Sequence, residues 1–429
     1  MSREMVNSGI PWIGDIPKEW KVCKVKNVFV RKNEKAHQEN PIILSLARSG
    51  VKIRDISTNE GQMAESYYDY NPVEPFDLLI NPMDLYSGAN CSISLVSGVI
   101  SPAYINLRAK DGVIPRFYDY YFKTQYWSMA FFAHGKGISF DNRWTLGIDT
   151  LFRYDVPFPS SSEQQKIASF LDKKCAEIEE MITLQEKIIE ELKAYKQSVI
   201  TEAVTKGLNP NVPMKESGIE WIGQIPEHWE VHRVKRIVQS FSKGEGITKE
   251  EVFVEGDISC VRYGEIYSKY NQSFIECISS TNLNIHKSPR YFECGDILCA
   301  GTGELVEEIG KSIVYLGQKR CLAGGDIIVI RHKQNPIFLN YALNSTYAQS
   351  QKSCSKSKLK VVHISASNIG NILLPIPSLA EQQFIADYLD EKCSNIDSLI
   401  NIKQQKIEEL KDYKKSIIYE YVTGKKEVK

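Results

Sequence analysis

Residues 157–207 read PFPSSSEQQKIASFLDKKCAEIEEMITLQEKIIEELKAYKQSVITEAVTKG, and residues 375–425 read PIPSLAEQQFIADYLDEKCSNIDSLINIKQQKIEELKDYKKSIIYEYVTGK. These two stretches decide the fold. Neither has Gly or Pro between its opening prolines and its closing glycine. Ser160, Ser161 and Ser162 offer N-cap hydroxyls, Glu163 puts a carboxylate in the first turn, and Gly207 and Pro210 end the run. Apolar residues recur at Ile167, Leu171, Ile178, Ile182, Ile189, Leu192, Tyr195 and Val199, with Glu190, Glu191, Lys193 and Lys196 off that seam. The second stretch repeats the pattern with Ile385, Leu389, Ile396, Ile400, Ile407, Leu410, Tyr413 and Ile417. This spacing predicts two long amphipathic helices with a heptad-like stripe, the first from about Ser162 to Thr205.

A helix of about 43 residues reaches roughly 60 Å, too long to pack inside one small domain. Two such helices most simply pack on each other. Related halves of a duplicated chain commonly associate about a two-fold axis, so the expected pairing is antiparallel.

The duplication extends outward. Residues 8–20, SGIPWIGDIPKEW, match residues 217–229, SGIEWIGQIPEHW, at nine of thirteen positions. The repeating unit is roughly 210 residues, far longer than a solenoid repeat, so a whole module is duplicated. A two-fold arrangement would lay the N-terminal segment against the end of the second helix, near Val422. Trp12 and Trp221 would then do matching jobs.

Between the matched ends, residues 21–156 and 230–374 diverge, and only faint parallels survive. LSLARSG (44–50) parallels ISCVRYG (258–264), and FDLLINP (76–82) parallels GDILCAG (295–301). PRFYDYYFKT (115–124) parallels PIFLNYALNS (336–345). Short apolar runs punctuated by Gly, Pro, Asn and Asp predict strands, with one helix in each insert, RFYDYYFKTQYWSMAFF and IFLNYALNSTYAQSQ. Each insert reads as an α+β domain. The boundaries expected are a first domain at 1–160, a helix at 161–208, a second domain at 209–378 and a second helix at 379–429.

Composition limits what the chain can be. With 42% apolar and 25% charged residues it is globular in type. Lys+Arg and Asp+Glu both number 53, which excludes a polycation that coats nucleic acid but not a local basic groove. The N-terminus lacks an apolar core of signal-peptide length, and no run approaches the ~18 apolar residues of a membrane span. The expectation is a cytoplasmic chain with no membrane partner. Its ten cysteines contain no CxxC pair, which argues for reduced thiols and against structural zinc.

Binding residues are sought in the inserts. HGKGISFDNRW (134–144) holds Lys136 and Arg143. KSCSKSKLKVVH (352–363) holds Lys352, Lys356, Lys358 and Lys360, no acid, and small hydroxyl residues between the lysines, a surface suited to phosphate oxygens. Arg48 and Arg262, each two residues before a glycine at matched positions, suit bidentate reading of a guanine edge or, equally, a buried ion pair. No catalytic constellation emerges. AGTGE (300–304) lacks the third glycine of a dinucleotide loop, NPMD (81–84) lacks the second Pro and the aromatic of an adenine-methyltransferase loop, and no Walker A, HExxH or GxSxG is present.

The two GIxWIGxIPxxW segments, the Pro-x-Pro-Ser-x-x-Glu-Gln-Gln lead-in to each long helix (Pro157, Pro159, Glu163, Gln164, Gln165; Pro375, Pro377, Glu381, Gln382, Gln383) and the divergent inserts together resemble the specificity (S) subunit of type I restriction–modification enzymes. That resemblance covers essentially the whole chain. It implies two similar α+β target recognition domains at opposite ends of an antiparallel two-helix coiled coil, each reading one half of a split double-stranded DNA site. It further implies that two modification (M) subunits, which bind S-adenosylmethionine and methylate adenine, dock on the scaffold. Restriction (R) subunits would add ATP- and Mg-dependent translocation and cleavage. The chain itself would be non-catalytic, with no cofactor and no metal of its own. A protein-interaction scaffold without DNA specificity, and a fused methyltransferase or nuclease, remain alternatives on residues alone.

Overall fold

The computed structural model describes residues 3–56, 64–83, 85–86, 90–137, 144–253, 255–303, 309–353 and 362–428. The chain divides into two compact units, Met1–Glu186 with Gln405–Lys429, and Lys187–Gln404. Two long helices, Ser161–Lys206 and Leu379–Val422, contribute one end each to both units.

Within the first unit the early part of the first long helix lies along the late part of the second. The ring of Phe170 is 4.5 Å from that of Tyr421, and Lys414 forms an ion pair with Glu179. Within the second unit Lys196 Nζ lies 2.7 Å from both carboxylate oxygens of Asp397. Early residues of one helix meet late residues of the other in each unit, so the pairing is antiparallel, as the duplication predicts.

The helix seam departs from the expected one at a single turn in each copy. Ile167, Leu171, Ile178, Ile182 and Ile189 are buried, as are Ile385, Leu389, Ile396, Ile400, Ile407, Leu410 and Ile417. Tyr195 and Tyr413, however, are 58% and 55% exposed. The inward face runs instead through Lys196 to Ile200 and through Lys414 to Ile417. An apolar-only reading misses this because a lysine can bury its stem along the seam and carry its ammonium to a carboxylate at the edge.

The lead-in motif is structural in both copies. Glu163 accepts the indole N–H of Trp20 at 2.9 Å, and Glu381 accepts that of Trp229 at 3.1 Å. Gln164 accepts the backbone N–H of Ile114 and donates to the Pro159 carbonyl, while Gln382 does the same for Asn335 and Pro377. Tyr120 donates to Asp172 at 2.8 Å and Tyr341 to Asp390 at 2.9 Å. Each long helix is therefore fastened to the insert before it by one tryptophan, one glutamine and one tyrosine. The helices end on Gly207 and Gly424, both at positive φ. A Cβ at Gly207 would lie 3.2 Å from the Trp229 ring, and one at Gly424 would strike Pro17 and lie 3.1 Å from the Trp20 ring. The N-terminal segment thus sits against the end of the second helix, as expected from the two-fold argument.

The inserts share a frame and differ in what is added to it. The first unit has a four-stranded antiparallel sheet in the order Phe29–Lys32, Ile105–Ala109, Leu78–Ile80, Cys91–Ile93, with the helix Pro115–Trp127 burying Phe117, Tyr118, Tyr121 and Phe122. The second unit has the corresponding order Val238–Lys243, Ile327–His332, Ile297–Ala300, Ser312–Tyr315, extended by Ser273–Phe274 in parallel. It then adds a second sheet, Ser279–Thr281, Ile258–Val261, Cys321–Ala323, Tyr291–Phe292, over a core including Val261, Ile266, Phe292, Leu298 and Tyr315. In the first unit this sheet is split: the counterpart of Ile258–Val261, Leu44–Ala47, pairs in a hairpin with Gly50–Ile53, and a parallel bridge, Ile43 to Val99, joins it to the antiparallel pair Gly98–Ile100 and Asn71–Val73.

The single helix expected in each insert is broken in two. Met129, at φ +61°, separates Pro115–Trp127 from Ala130–Ala133. In the second insert Pro336–Leu343 and Thr346–Ser353 part at Asn344, whose side chain accepts the N–H of Ser312 and donates to its carbonyl. An asparagine that satisfies a neighbouring strand edge leaves the helical path.

Candidate nucleic-acid interface

The expected contact residues fall on loops and strand ends of the inserts. Arg48 is exposed in the two-residue turn between Leu44–Ala47 and Gly50–Ile53. Gly50, at φ +116°, lets that turn close. Lys136 is exposed and bridged antiparallel to Thr145 by two backbone hydrogen bonds of 2.9 Å. It lines a hollow of about 620 Å³ with Trp12, His134, Asp149, Arg153 and Tyr154. Arg143, Lys356, Lys358 and Lys360 lie outside the described residues.

Lys352 is a correction. The sequence groups it with the basic loop, but it is only 3% exposed, and its Nζ donates to the carbonyls of Gly310 and Leu343, both at 2.7 Å. Burial pushes its pKa down to about 8, against a smaller opposing pull from Cys299. It braces the end of a helix and is not presented to phosphate.

Trp12 and Trp221 do not match either. Trp12 donates to the Asp155 carbonyl at 3.1 Å and stacks on Tyr154, ring centroids 4.8 Å apart. Trp221 is 57% exposed beside a hollow of about 350 Å³ floored by Ile372, the position equivalent to Tyr154. An isoleucine in place of the tyrosine removes the stacking partner.

Arg262 follows the strand Ile258–Val261 and precedes the short helix Tyr263–Ser268. Its Nε is 3.5 Å from Glu265 Oε1, and the two residues line a cleft of about 640 Å³. Sequence reading found Arg262 by its match to Arg48 but missed Glu265. The signal was there: Arg-x-x-Glu at the start of a helix puts both side chains on one face. Among the described residues no group of three or more His, Cys, Asp or Glu side chains could hold a metal ion, and no helix is long and apolar enough to cross a membrane.

Comparison with known proteins places these features in a family. A family model described as the type I restriction modification DNA specificity domain matches residues 226–412. The type I restriction enzyme MjaVIII specificity subunit of Methanocaldococcus jannaschii is 27% identical over 369 residues, covering 82% of this chain and 81% of its own. The StySPI specificity subunit of Salmonella potsdam is 23% identical over 208 residues, 47% of this chain and 44% of its own. In fold, a chain solved in work on complex assembly and conformational transition of the type I R-M system superposes with TM-score 0.71 at 15% identity, over 95% of this chain and 98% of that one. The HsdS subunit from Thermoanaerobacter tengcongensis gives TM-score 0.52 at 15% identity over the same shares. In sequence and in fold the chain is similar to the specificity subunits of type I restriction–modification systems, and it reads as the DNA-specificity component of such a system and not a catalytic one. The scaffold and fused-enzyme readings are thereby set aside.

Proposed function

We propose that each insert reads one half of a split site in double-stranded DNA and that the paired long helices set the distance between the half-sites. Two S-adenosylmethionine-binding M subunits dock on this chain to methylate adenine in each half. R subunits, using ATP and Mg, join the same complex, which works in the cytoplasm. The domains are residues 1–160 and 209–378, joined by helices at 161–208 and 379–429. Arg48, Lys136, Arg143, Arg262, Lys356, Lys358 and Lys360 are the DNA contacts of this reading.

One observation carries it: an identical fastening frame, Trp–Glu, Gln–backbone and Tyr–Asp, holds two differently built sheet systems. A frame that must meet the same partner twice is kept, and surfaces that meet different sequences diverge. The test is duplex binding across a salt series. The triple variant Lys356→Ala, Lys358→Ala, Lys360→Ala should bind more weakly and flatten the slope by about three phosphate contacts. An unchanged slope takes that loop off the DNA.

A further inference from the structure

The cleft beside Arg262 is built in a way that separates two kinds of DNA contact. Glu265 is only 6% exposed and doubly anchored. One carboxylate oxygen accepts the backbone N–H of Arg262 at 3.0 Å, and the other accepts the Ser279 hydroxyl at 2.6 Å. The second of these oxygens is 3.5 Å from Arg262 Nε, an ionic distance too long for a hydrogen bond. Nε is buried and makes no hydrogen bond among the described residues, while the arginine side chain as a whole is 31% exposed and lines the cleft. A fixed carboxylate therefore faces one edge of the guanidinium at ionic distance.

The walls keep that plane reachable. Gly246 and Gly264 line the cleft, and a Cβ at either would meet nothing within 4 Å. Gly324 backs the arginine: its Cβ would lie 3.3 Å from Arg262 Cα.

Charge then chooses the ligand. Glu265 and Asp326 line the same cleft as Arg262 and Lys269. A phosphate brought to Arg262 would meet two carboxylates. The O6/N7 edge of a guanine carries no net charge for those carboxylates to repel, and it offers two coplanar acceptors to the guanidinium. Resting on the DNA-recognition reading above, we propose that Arg262, positioned by Glu265, reads a guanine in the half-site bound by the second insert. Its first-insert counterpart is built differently, because the position three residues after Arg48 is Val51.

The test uses the complex purified from its host and the half-site known from the host's methylated-motif map. Each guanine of that half-site is replaced in turn by 7-deazaguanine, which lacks only the N7 acceptor. One replacement should weaken wild-type binding about ten-fold and have no further effect on Arg262→Ala. Glu265→Gln should reduce the discrimination at that same position while leaving the salt slope and the other half-site unchanged, a readout that simple destabilisation would not produce. Arg262→Lys, which keeps the charge and the stem, should also lose the discrimination. A uniform loss across sequences with a salt slope lower by about one contact would make Arg262 a phosphate contact and overturn the proposal. So would binding in which no 7-deazaguanine matters. Failure to bind any duplex would instead overturn the DNA-recognition reading itself.

Discussion

The helix-fastening frame repeats contact for contact in the two units, and the sheets it carries do not. In the frame, equivalent residues make equivalent contacts in both units. Lys196 meets Asp397, and their repeat partners Lys414 and Glu179 meet each other. In the sheets, correspondence loosens beyond the four-stranded core: the second unit gains a parallel edge and a continuous second sheet, where the first has a hairpin and a separate strand pair joined by the bridge Ile43–Val99. Identity in the repeat thus tracks hydrogen bonds that a backbone amide or an indole requires, and divergence begins where no shared contact constrains the chain.

The two frame tryptophans carry the largest effect. Trp229 is fully buried against Glu381 and Gly207, and Trp20 occupies the matching place against Glu163 and Gly424. Replacing either by Ala should destabilise its own unit by about 3–5 kcal/mol, read as a lowered denaturation midpoint. A large loss for one and none for the other would mean the two frames are not equivalent.

Lys352 sharpens the contrast, since it belongs to the second unit alone. Its folded pKa of about 8 lies below its unfolded value of 10.5. Below about pH 8 both states are protonated and the buried charge carries its full cost. Above about 10.5 neither is protonated and the cost is gone. Stability relative to Lys352→Met should therefore rise with pH across that window, by up to about 3 kcal/mol. Both proteins are made in a Cys299→Ala background, which removes the opposite trend from Cys299, a thiol that burial pushes up to about 11 and Lys352 pulls down. A flat difference across the window would show that Lys352 is not held in a dry site.

The smallest effect belongs to the inter-helix ion pairs, whose side chains are 20%/45% and 28%/57% exposed. Lys196→Ala and Lys414→Ala should each cost less than about 1 kcal/mol, and by similar amounts. A clear inequality, measured in the same denaturation series, would mean that one pair carries more than its symmetry mate.

The helices, their direction and the position of the N-terminal segment were legible because each rests on periodicity or on duplication, which a sequence displays directly. The strands DLLI, DILCA and DIIVIRH were legible for the same reason. What escaped was decided by long-range contact. Lys352 reads as a surface lysine until the carbonyls of Gly310 and Leu343 close over it. Trp12 and Trp221 read as twins until Tyr154 and Ile372 are placed beside them. Glu265 passes unremarked in the sequence because the Ser279 hydroxyl that donates to its second oxygen lies fourteen residues away. Arg262 was singled out for its spacing, but the buried carboxylate 3.5 Å from it was not.

If two independent readers share one frame, exchanging one insert changes one half-site only. Residues 21–156 are replaced with the equivalent insert of another specificity subunit, and the methylated bases of the host genome are mapped. The expected result is a split motif in which one half changes to the donor's sequence while the other half and the spacing stay as they were. A motif altered in both halves, or altered in spacing, would contradict it.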